Sequence, residues 1–337
     1  MRHVVITKHG PPEVLRIAEV PDPVPRYGDV RIAVGAAGVN FADVMARLGL
    51  YPDAPPPPCV VGYEVAGVVD AVGPGVTPFQ VGDRVVALTR FGGYATSVVT
   101  PAATVFRTPA SVSDVDSAAL PVNYLTAFVA LYQCANVAPG ETVLVHGAGG
   151  GVGIAATQLA KLRGATVIGT ASAPKLEALR TLGVDHPVDR VADVAREVRA
   201  LTAGRGVDVV LDPIGGKSFR TSYALLAPLG RLIMYGASSI ASGERCNLWR
   251  IVRTMMAMPS FRPLSLMNQN RIVAGVNLGH LWDETERLRH GMEWLLAELS
   301  AGRIRPLVAR AFPLADAAAA HRYLQSRASV GKVILTT

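Results

Sequence analysis

The segment Thr142-Val-Leu-Val-His-Gly-Ala-Gly-Gly-Gly-Val-Gly153 constrains the fold of this chain more than any other. An apolar strand runs into a glycine turn, and the turn into a helix predicted from Val152 to about Arg163. This is how a nucleotide pyrophosphate is held: glycines let the backbone approach the phosphates, and the helix N-terminus offers N–H groups and a positive dipole end. The glycines fit Gly147-x-x-Gly150-x-x-Gly153 rather than the usual G-x-G-x-x-G spacing, so the motif draws its weight from context. A second strand, Ala165–Thr170, follows the helix as a βαβ unit requires. The segment therefore predicts a dinucleotide site.

The remaining composition narrows the class. At 337 residues, with 50% hydrophobic and 18% charged, the chain can bury a large core and is expected to form two domains. Cys59, Cys134 and Cys246 are widely spaced and form no C-x-x-C pair, which points to a reducing compartment. The first residues, Met-Arg-His-Val-Val-Ile-Thr-Lys, lack the apolar run of a signal peptide. The apolar stretch Ala118–Leu131 is shorter than the roughly 20 residues of a membrane span and is broken by Pro121, Asn123 and Tyr124. A soluble, cytoplasmic protein is expected. The net charge of +7 is dispersed, with no basic run interleaved with aromatics, so no nucleic-acid partner is expected. An anionic cofactor or a solvated basic surface accounts for it.

Residues 1 to about 122 carry short β-rich runs, among them Val30–Val34, Val65–Val69 and Arg84–Leu88, punctuated by glycine and proline. That rhythm predicts a small β-barrel-like domain. Pro55–Pro58 reads as an extended loop. From about 123 to 245 strands (Thr142–His146, Ala165–Thr170, Val207–Leu211, Gly230–Tyr235) alternate with helical runs (Pro174–Leu182, Val191–Thr202, Lys217–Leu226). Such alternation predicts a parallel, doubly wound sheet and an α/β fold. Leu307–Phe312 and Val333–Thr336, flanking a helix near Ala315–Gln325, are β-rich again and are expected to rejoin the first domain.

The second strand of the dinucleotide unit indicates which cofactor. NAD-binding folds place an acid at its end, on the ribose 2′-hydroxyl. Here the strand runs into Gly169-Thr-Ala-Ser-Ala-Pro-Lys175, and the first acid is Glu177, inside the next helix. Ser172 and Lys175 would attract a 2′-phosphate that a carboxylate would repel, which favours NADPH. Gly215-Gly-Lys-Ser218 is not a phosphate loop of the ATPase type: that motif needs glycine where Leu211 stands.

Over its whole length the chain resembles the zinc-independent quinone oxidoreductases of the medium-chain dehydrogenase/reductase superfamily. The likeness is carried by Gly38-Val-Asn-Phe-Ala-Asp-Val44, Gly62-Tyr-Glu-Val-Ala-Gly67, Val81-Gly-Asp-Arg-Val85, the glycine turn, Asp212-Pro-Ile-Gly-Gly216 and Gly331-Lys-Val-Ile-Leu335. Within that family Phe261–Asn270, Ala274–Leu278 and Ala320–Gln325 are similar to the vesicle-amine-transport-like branch. The resemblance implies a GroES-like β-barrel domain (1–122, resuming at 266–337) interrupted by a Rossmann domain (123–265), assembled as a homodimer. In zinc-dependent relatives metal ligands stand at the positions of Asn40, Tyr63 and Val122, none of which is a zinc ligand, and the structural zinc lobe is missing, Leu88-Thr-Arg passing directly to Phe91. No metal is expected.

Without a Lewis acid, the chemistry implied is hydride transfer from NADPH to an already activated electrophile, a quinone or an α,β-unsaturated carbonyl. Asn40, Asp43 and Tyr51 match the family's residues near the nicotinamide. Asn40 would hydrogen-bond the substrate oxygen; Tyr51 would either donate a proton or shape the pocket. Cofactor contacts are expected from Thr126, Val129, Gly150, Gly151, Val152, Ser172, Lys175, Gly236, Ala237, Ser238, Asn277 and Lys332. Arg190 stands where relatives carry a tyrosine and either grips the phosphate or faces water. His146 reads as structural. The segment from Glu244 to Arg271, with five arginines, Trp249, Phe261 and four methionines, reads as a lid, a packing or dimer-contact helix, or a membrane-surface segment. The alternative to a reductase is an NADPH-binding protein that associates with membranes or partners and turns over little.

Overall fold

The computed structural model describes residues 1–241 and 243–337. Seven strands come first: β1 (Arg2–Ile6), β2 (Leu15–Glu19), β3 (Asp29–Val39), β4 (Glu64–Val72), β5 (Arg84–Leu88), β6 (Ser97–Pro101) and β7 (Val105–Arg107). Six follow with helices between them: β8 (Thr142–His146), β9 (Thr166–Ala171), β10 (His186–Asp189), β11 (Val207–Asp212), β12 (Leu226–Met234) and β13 (Ile272–Gly275). The chain closes on β14 (Val308–Pro313) and β15 (Lys332–Thr336).

These strands form two compact units. The first comprises Met1–Leu125, Gly243–Cys246 and Leu278–Thr337; the second comprises Thr126–Ser242 and Asn247–Asn277. In the first, β14, β15, β3, β4, β5 and β7 lie side by side in that order and β6 pairs with β3. The long strand β3 is the spine, antiparallel to β15, β4 and β6. Its alternating apolar residues, Val30, Ile32 and Val34, face a core shared with Val65, Val69, Val85, Val333 and Leu335. The last strand thus returns to the first domain, as the tail pattern predicts.

The second unit is a six-stranded sheet in the order β10-β9-β8-β11-β12-β13, with every pair parallel. β11 is buried along its whole length and β8 from Val143 onward, which is why β8 reads as the apolar run Val143–Val145 and β11 as Val209–Leu211, with no solvent-facing alternation. The strand order reverses between β8 and β11, so the crevice outside their C-terminal ends is the topological switch point where such sheets bind ligands. The glycine turn leaves β8 there.

Two edge strands escape the sequence pattern. β10 is short and carries Pro187, and β13 follows the basic segment. The pairing of β13 with β12 keeps residues 266–277 with the second unit, and the first unit's closing segment begins at Leu278. Among the described residues no helix is long and apolar enough to cross a membrane.

Candidate functional site

The first-unit residues gather where β3 ends. Asn40 caps the helix Phe41–Arg47, and its backbone N–H donates to Asp43 Oδ2 at 2.7 Å. Asp43 also receives the Gly62 N–H at 3.1 Å and the Tyr94 hydroxyl at 3.0 Å. Tyr94 Oη lies 3.2 Å from His321 Nε2. Burial pushes the Asp43 carboxyl up to about 7, against the pull of its donors and of the Lys332 charge. Asp43, expected near the reacting centre, is 0% exposed and commits its carboxylate to these neighbours. It fixes the start of the helix and the Gly62 turn, and no face of it is open to a substrate.

Asn40 is held just as firmly. Its Nδ2 donates to Glu64 Oε1 at 2.9 Å, and its Oδ1 accepts from Lys332 Nζ at 2.6 Å. Lys332 also forms an ion pair with Glu64 Oε1, while Glu64 Oε2 accepts the Val122 N–H at 2.7 Å. Because a cation takes the oxygen and a carboxylate takes the nitrogen, the amide has one orientation. One Nδ2 hydrogen remains beyond the Glu64 contact. Lys332, expected against the cofactor, is buried to 3% exposure by the pairing of β15 with β3, and a buried ammonium requires its carboxylate.

Tyr63 packs edge-on to Tyr51, with ring centroids 6.1 Å apart, and tilted against Phe91 at 5.3 Å. Its hydroxyl is buried, with Tyr51 as its polar neighbour. Burial, then the Asp43 charge and the nearby Tyr51, raise its pKa, so the phenol keeps its proton. The Tyr51 ring is half-buried beside it. This donor set does not suit zinc: Asn40 already faces an ammonium, Tyr63 holds its proton, and Val122 contributes only a backbone N–H. Among the described residues no three His, Cys, Asp or Glu side chains converge to hold a metal ion.

In the second unit the glycine turn has the expected geometry. Gly147 takes φ +67°, and a Cβ on Gly153 would meet Gly147 O at 2.4 Å and Ala148 Cα at 2.6 Å, so only glycine lets the helix start this close to the turn. The helix Gly151–Leu162 is capped by Gly150 without a side-chain acceptor. Gly150 gives its own N–H to Gly147 O at 2.9 Å. The amides of Gly151 and Val152 open the helix, where intrahelical acceptors are absent and an anion can take their place.

Past the end of β9, Ser172 begins a turn whose last residue is Lys175. The Lys175 side chain passes 3.4 Å from where a Gly149 Cβ would lie. Its pKa is lowered by burial and then by the charge of Arg190, so the two cations stand close together. Arg190 is exposed and anchored by its N–H to Ala171 O at 2.7 Å. Lys175 beside the glycine turn, with the Arg190 charge near it, is an arrangement that suits a phosphate. Gly236, Ala237 and Ser238 follow β12, where Ser238 donates to Pro213 O at 2.9 Å, and Asn277 is exposed just after β13. Thr126 and Val129 are buried in the helical segment that opens this unit.

Sequence reasoning missed Glu64, Tyr94 and His321. Glu64 alone left a signal, a single acid inside the apolar run Val60–Val69.

Known proteins share this arrangement. Residues 26–110 match the alcohol dehydrogenase GroES-like domain, and residues 182–335 match a family described as zinc-binding dehydrogenase. The synaptic vesicle membrane protein VAT-1 homolog of Danio rerio is 41% identical over 100% of this chain and 70% of its own length. A 2-haloacrylate reductase of Burkholderia is 37% identical over 98% of this chain and 97% of its own. The crystal structure of Escherichia coli quinone oxidoreductase complexed with NADPH superposes with a TM-score of 0.89 at 31% identity, covering 100% of both chains.

Proposed function

The chain belongs to the medium-chain dehydrogenase/reductase superfamily, in its quinone oxidoreductase-like branch, and on that footing we propose an NADPH-dependent reductase of quinones or α,β-unsaturated carbonyls that works without zinc. The observation that carries the zinc-free part is the Asn40–Glu64–Lys332 cluster, in which a fixed cation and an amide whose oxygen that cation occupies stand where a metal would need thiolate or imidazole.

NADPH, when bound, supplies the hydride and its electron pair. The chain's residues bind and orient. The Gly151 and Val152 amides receive the pyrophosphate, and Ser172, Lys175 and Arg190 the 2′-phosphate. Asn40 offers its second Nδ2 hydrogen to the substrate oxygen as negative charge builds there, held in aim by Glu64 and Lys332. The Tyr63 hydroxyl, buried and protonated, is a second donor, and Tyr51 beside it shapes its surroundings. A conjugated acceptor suits such a site, because hydrogen bonds suffice where the conjugated carbonyl itself draws the electron pair.

The test is NADPH consumption against a panel of quinones and enones, with and without a chelator, beside metal analysis. Turnover unaffected by chelator in metal-free protein is expected. Stoichiometric zinc would overturn the zinc-free reading, and tight NADPH binding with no acceptor turned over would overturn the reductase.

A second reading rests on the helix Leu248–Met256, which presents Leu248, Trp249 and Met256 at 73%, 85% and 81% exposure and carries Arg250 and Arg253. A membrane- or partner-associated NADPH-binding protein would use such a face. Co-sedimentation with anionic vesicles, lost when the arginines become glutamine, together with absent turnover would favour it.

A further inference from the structure

The one imidazole beside the glycine turn takes no part in the reading above. His146 is the last residue of β8 and pairs in register with Thr170 of β9. Its Nδ1 lies 3.1 Å from Thr170 Oγ1 and its Nε2 3.1 Å from Ser222 Oγ. Ser222 Oγ donates to Asp212 Oδ2 at 2.7 Å, and Ser218 Oγ to the same oxygen at 2.6 Å. Asp212 Oδ1 accepts the Ile214 N–H at 2.7 Å. On the other side, the Gly147 N–H points to Thr170 Oγ1 at 3.4 Å and the Ala148 N–H donates to Thr170 O at 3.0 Å. Asp212 and Ser222 are 0% exposed, Thr170 2% and His146 6%.

We infer that His146 is a positioning residue: an Nε2-protonated imidazole that ties the glycine turn to Asp212 through Thr170 and Ser222. The direction of every hydrogen follows from the chemistry of the partners. A carboxylate only accepts, so the single Ser222 hydrogen goes to Asp212. Ser222 Oγ must then accept from His146, which places the ring hydrogen on Nε2. Burial lowers the His146 pKa, against the pull of Asp212, so the ring carries no second hydrogen and Nδ1 is bare. Thr170 must donate to Nδ1, which leaves its oxygen lone pairs turned toward the Gly147 N–H. One chain of donors thus runs from the first amide of the turn to a carboxylate at the exit of β11.

The consequence is geometric. The chain crosses the C-terminal ends of β9, β8 and β11, the place where the strand order reverses. The β11 exit is in turn bound to the β12 exit, since Pro213 O accepts the Ser238 N–H at 2.9 Å and Ile214 O the Ser239 N–H at 3.0 Å. His146 therefore sets the glycine turn against the 236–238 segment. It also draws the Gly147 amide inward, so that the anion meets the amides that open the helix.

The ligand at the turn rests on the reductase reading; the hydrogen directions do not. Two measurements separate them. Histidine ¹⁵N spectroscopy of the ligand-free protein at neutral pH should find His146 with hydrogen on Nε2 only; an Nδ1–H form overturns the chain. Thr170→Val keeps the shape of the side chain but leaves Nδ1 and the Gly147 amide unpaired, and should raise the NADPH Kd by about tenfold. Thr170→Ser should return it to within about twofold, and kcat at saturating NADPH should stay within about twofold in both variants. If Thr170→Val lowers the melting temperature while the NADPH Kd stays at the wild-type value, the residue is merely structural and the inference fails. If the wild-type protein binds no nicotinamide nucleotide, the reductase reading fails, and the ring hydrogen remains the test of the chain.

Discussion

Replacing Lys332 by methionine should be among the most damaging single changes in the first unit. The stem of the side chain is conserved, so the loss is almost purely that of the ammonium. That ammonium touches Glu64 Oε1 and Asn40 Oδ1, the latter at 2.6 Å, and is 3% exposed against a carboxylate that is 0% exposed. Breaking a buried pair by removing one partner typically costs about 3–5 kcal/mol, because the other charge is left uncompensated. Glu64 keeps two donors, Asn40 Nδ2 at 2.9 Å and the Val122 N–H at 2.7 Å, which places the expected loss near the lower end, about 3 kcal/mol. For a cooperative unit of this size that is roughly 6–12 °C in Tm. The second variant is the decisive one. Lys332→Met with Glu64→Gln removes the stranded charge, keeps an acceptor for the Val122 N–H, and, with the ammonium gone, lets the Asn40 amide turn over so that its Oδ1 accepts from the glutamine nitrogen. It should recover about 2 kcal/mol of the loss in urea unfolding. Gly38→Ala offers an independent approach to the same pair, since its methyl would lie 2.3 Å from Glu64 Oε1 and 2.6 Å from Cδ. If Lys332→Met loses less than about 1 kcal/mol, or the double variant is no more stable than the single one, the charge reasoning is wrong.

Three further outcomes are expected. Lys175→Glu should weaken NADPH binding by about tenfold or more while leaving NADH within about twofold, read by fluorescence titration; equal effects on both would remove Lys175 from the 2′-phosphate. Gly153→Ala should abolish measurable NADPH binding in a chain that still folds by circular dichroism, because its methyl cannot fit 2.4 Å from Gly147 O. Asp43, raised from 3.8 to about 7, and His321, lowered from 6.5 to about 3 chiefly by burial, should oppose each other in the pH dependence of stability. The folded pair holds its proton on Asp43 and the unfolded pair on His321, so the two slopes cancel between about pH 4 and 6.5; His321→Gln should uncover the Asp43 slope, with stability rising by up to about 1.4 kcal/mol per unit as pH falls from 7 to 4.

What the sequence made legible follows from range. The glycine turn, β8, β9 and β11 are local signals, apolar runs and backbone freedom at neighbouring positions, and they stand where the residues predict. β10 and β13 have no such signal, being four residues each. Charge burial is the other blind spot. Asn40 and Lys332 are 292 positions apart and meet only because β15 pairs with β3. Lys332 beside a glycine reads as a cofactor contact and Asp43 as a reacting group, and nothing local in the sequence announces the buried partners that pairing brings to each. Motif reading assigns a residue to a neighbourhood; what surrounds it there depends on strands that are distant in the chain.

The two units solve the same problem with opposite electrostatics. In the first, Asn40 is held by a full ion pair, and on the function proposed above the fixed ammonium there favours a substrate oxygen that gains negative charge. In the second, the group to be held is the backbone of the glycine turn, and under the same proposal a carboxylate close to it would repel the phosphate. Asp212 is therefore surrounded by three donors and reaches the turn only through Ser222, His146 and Thr170, none of which carries charge. A neutral relay can transmit geometry from a carboxylate without transmitting its charge. Ser, His and Thr suit that task for a physical reason: each both donates and accepts, so one anion can set the direction of every bond between it and the first glycine.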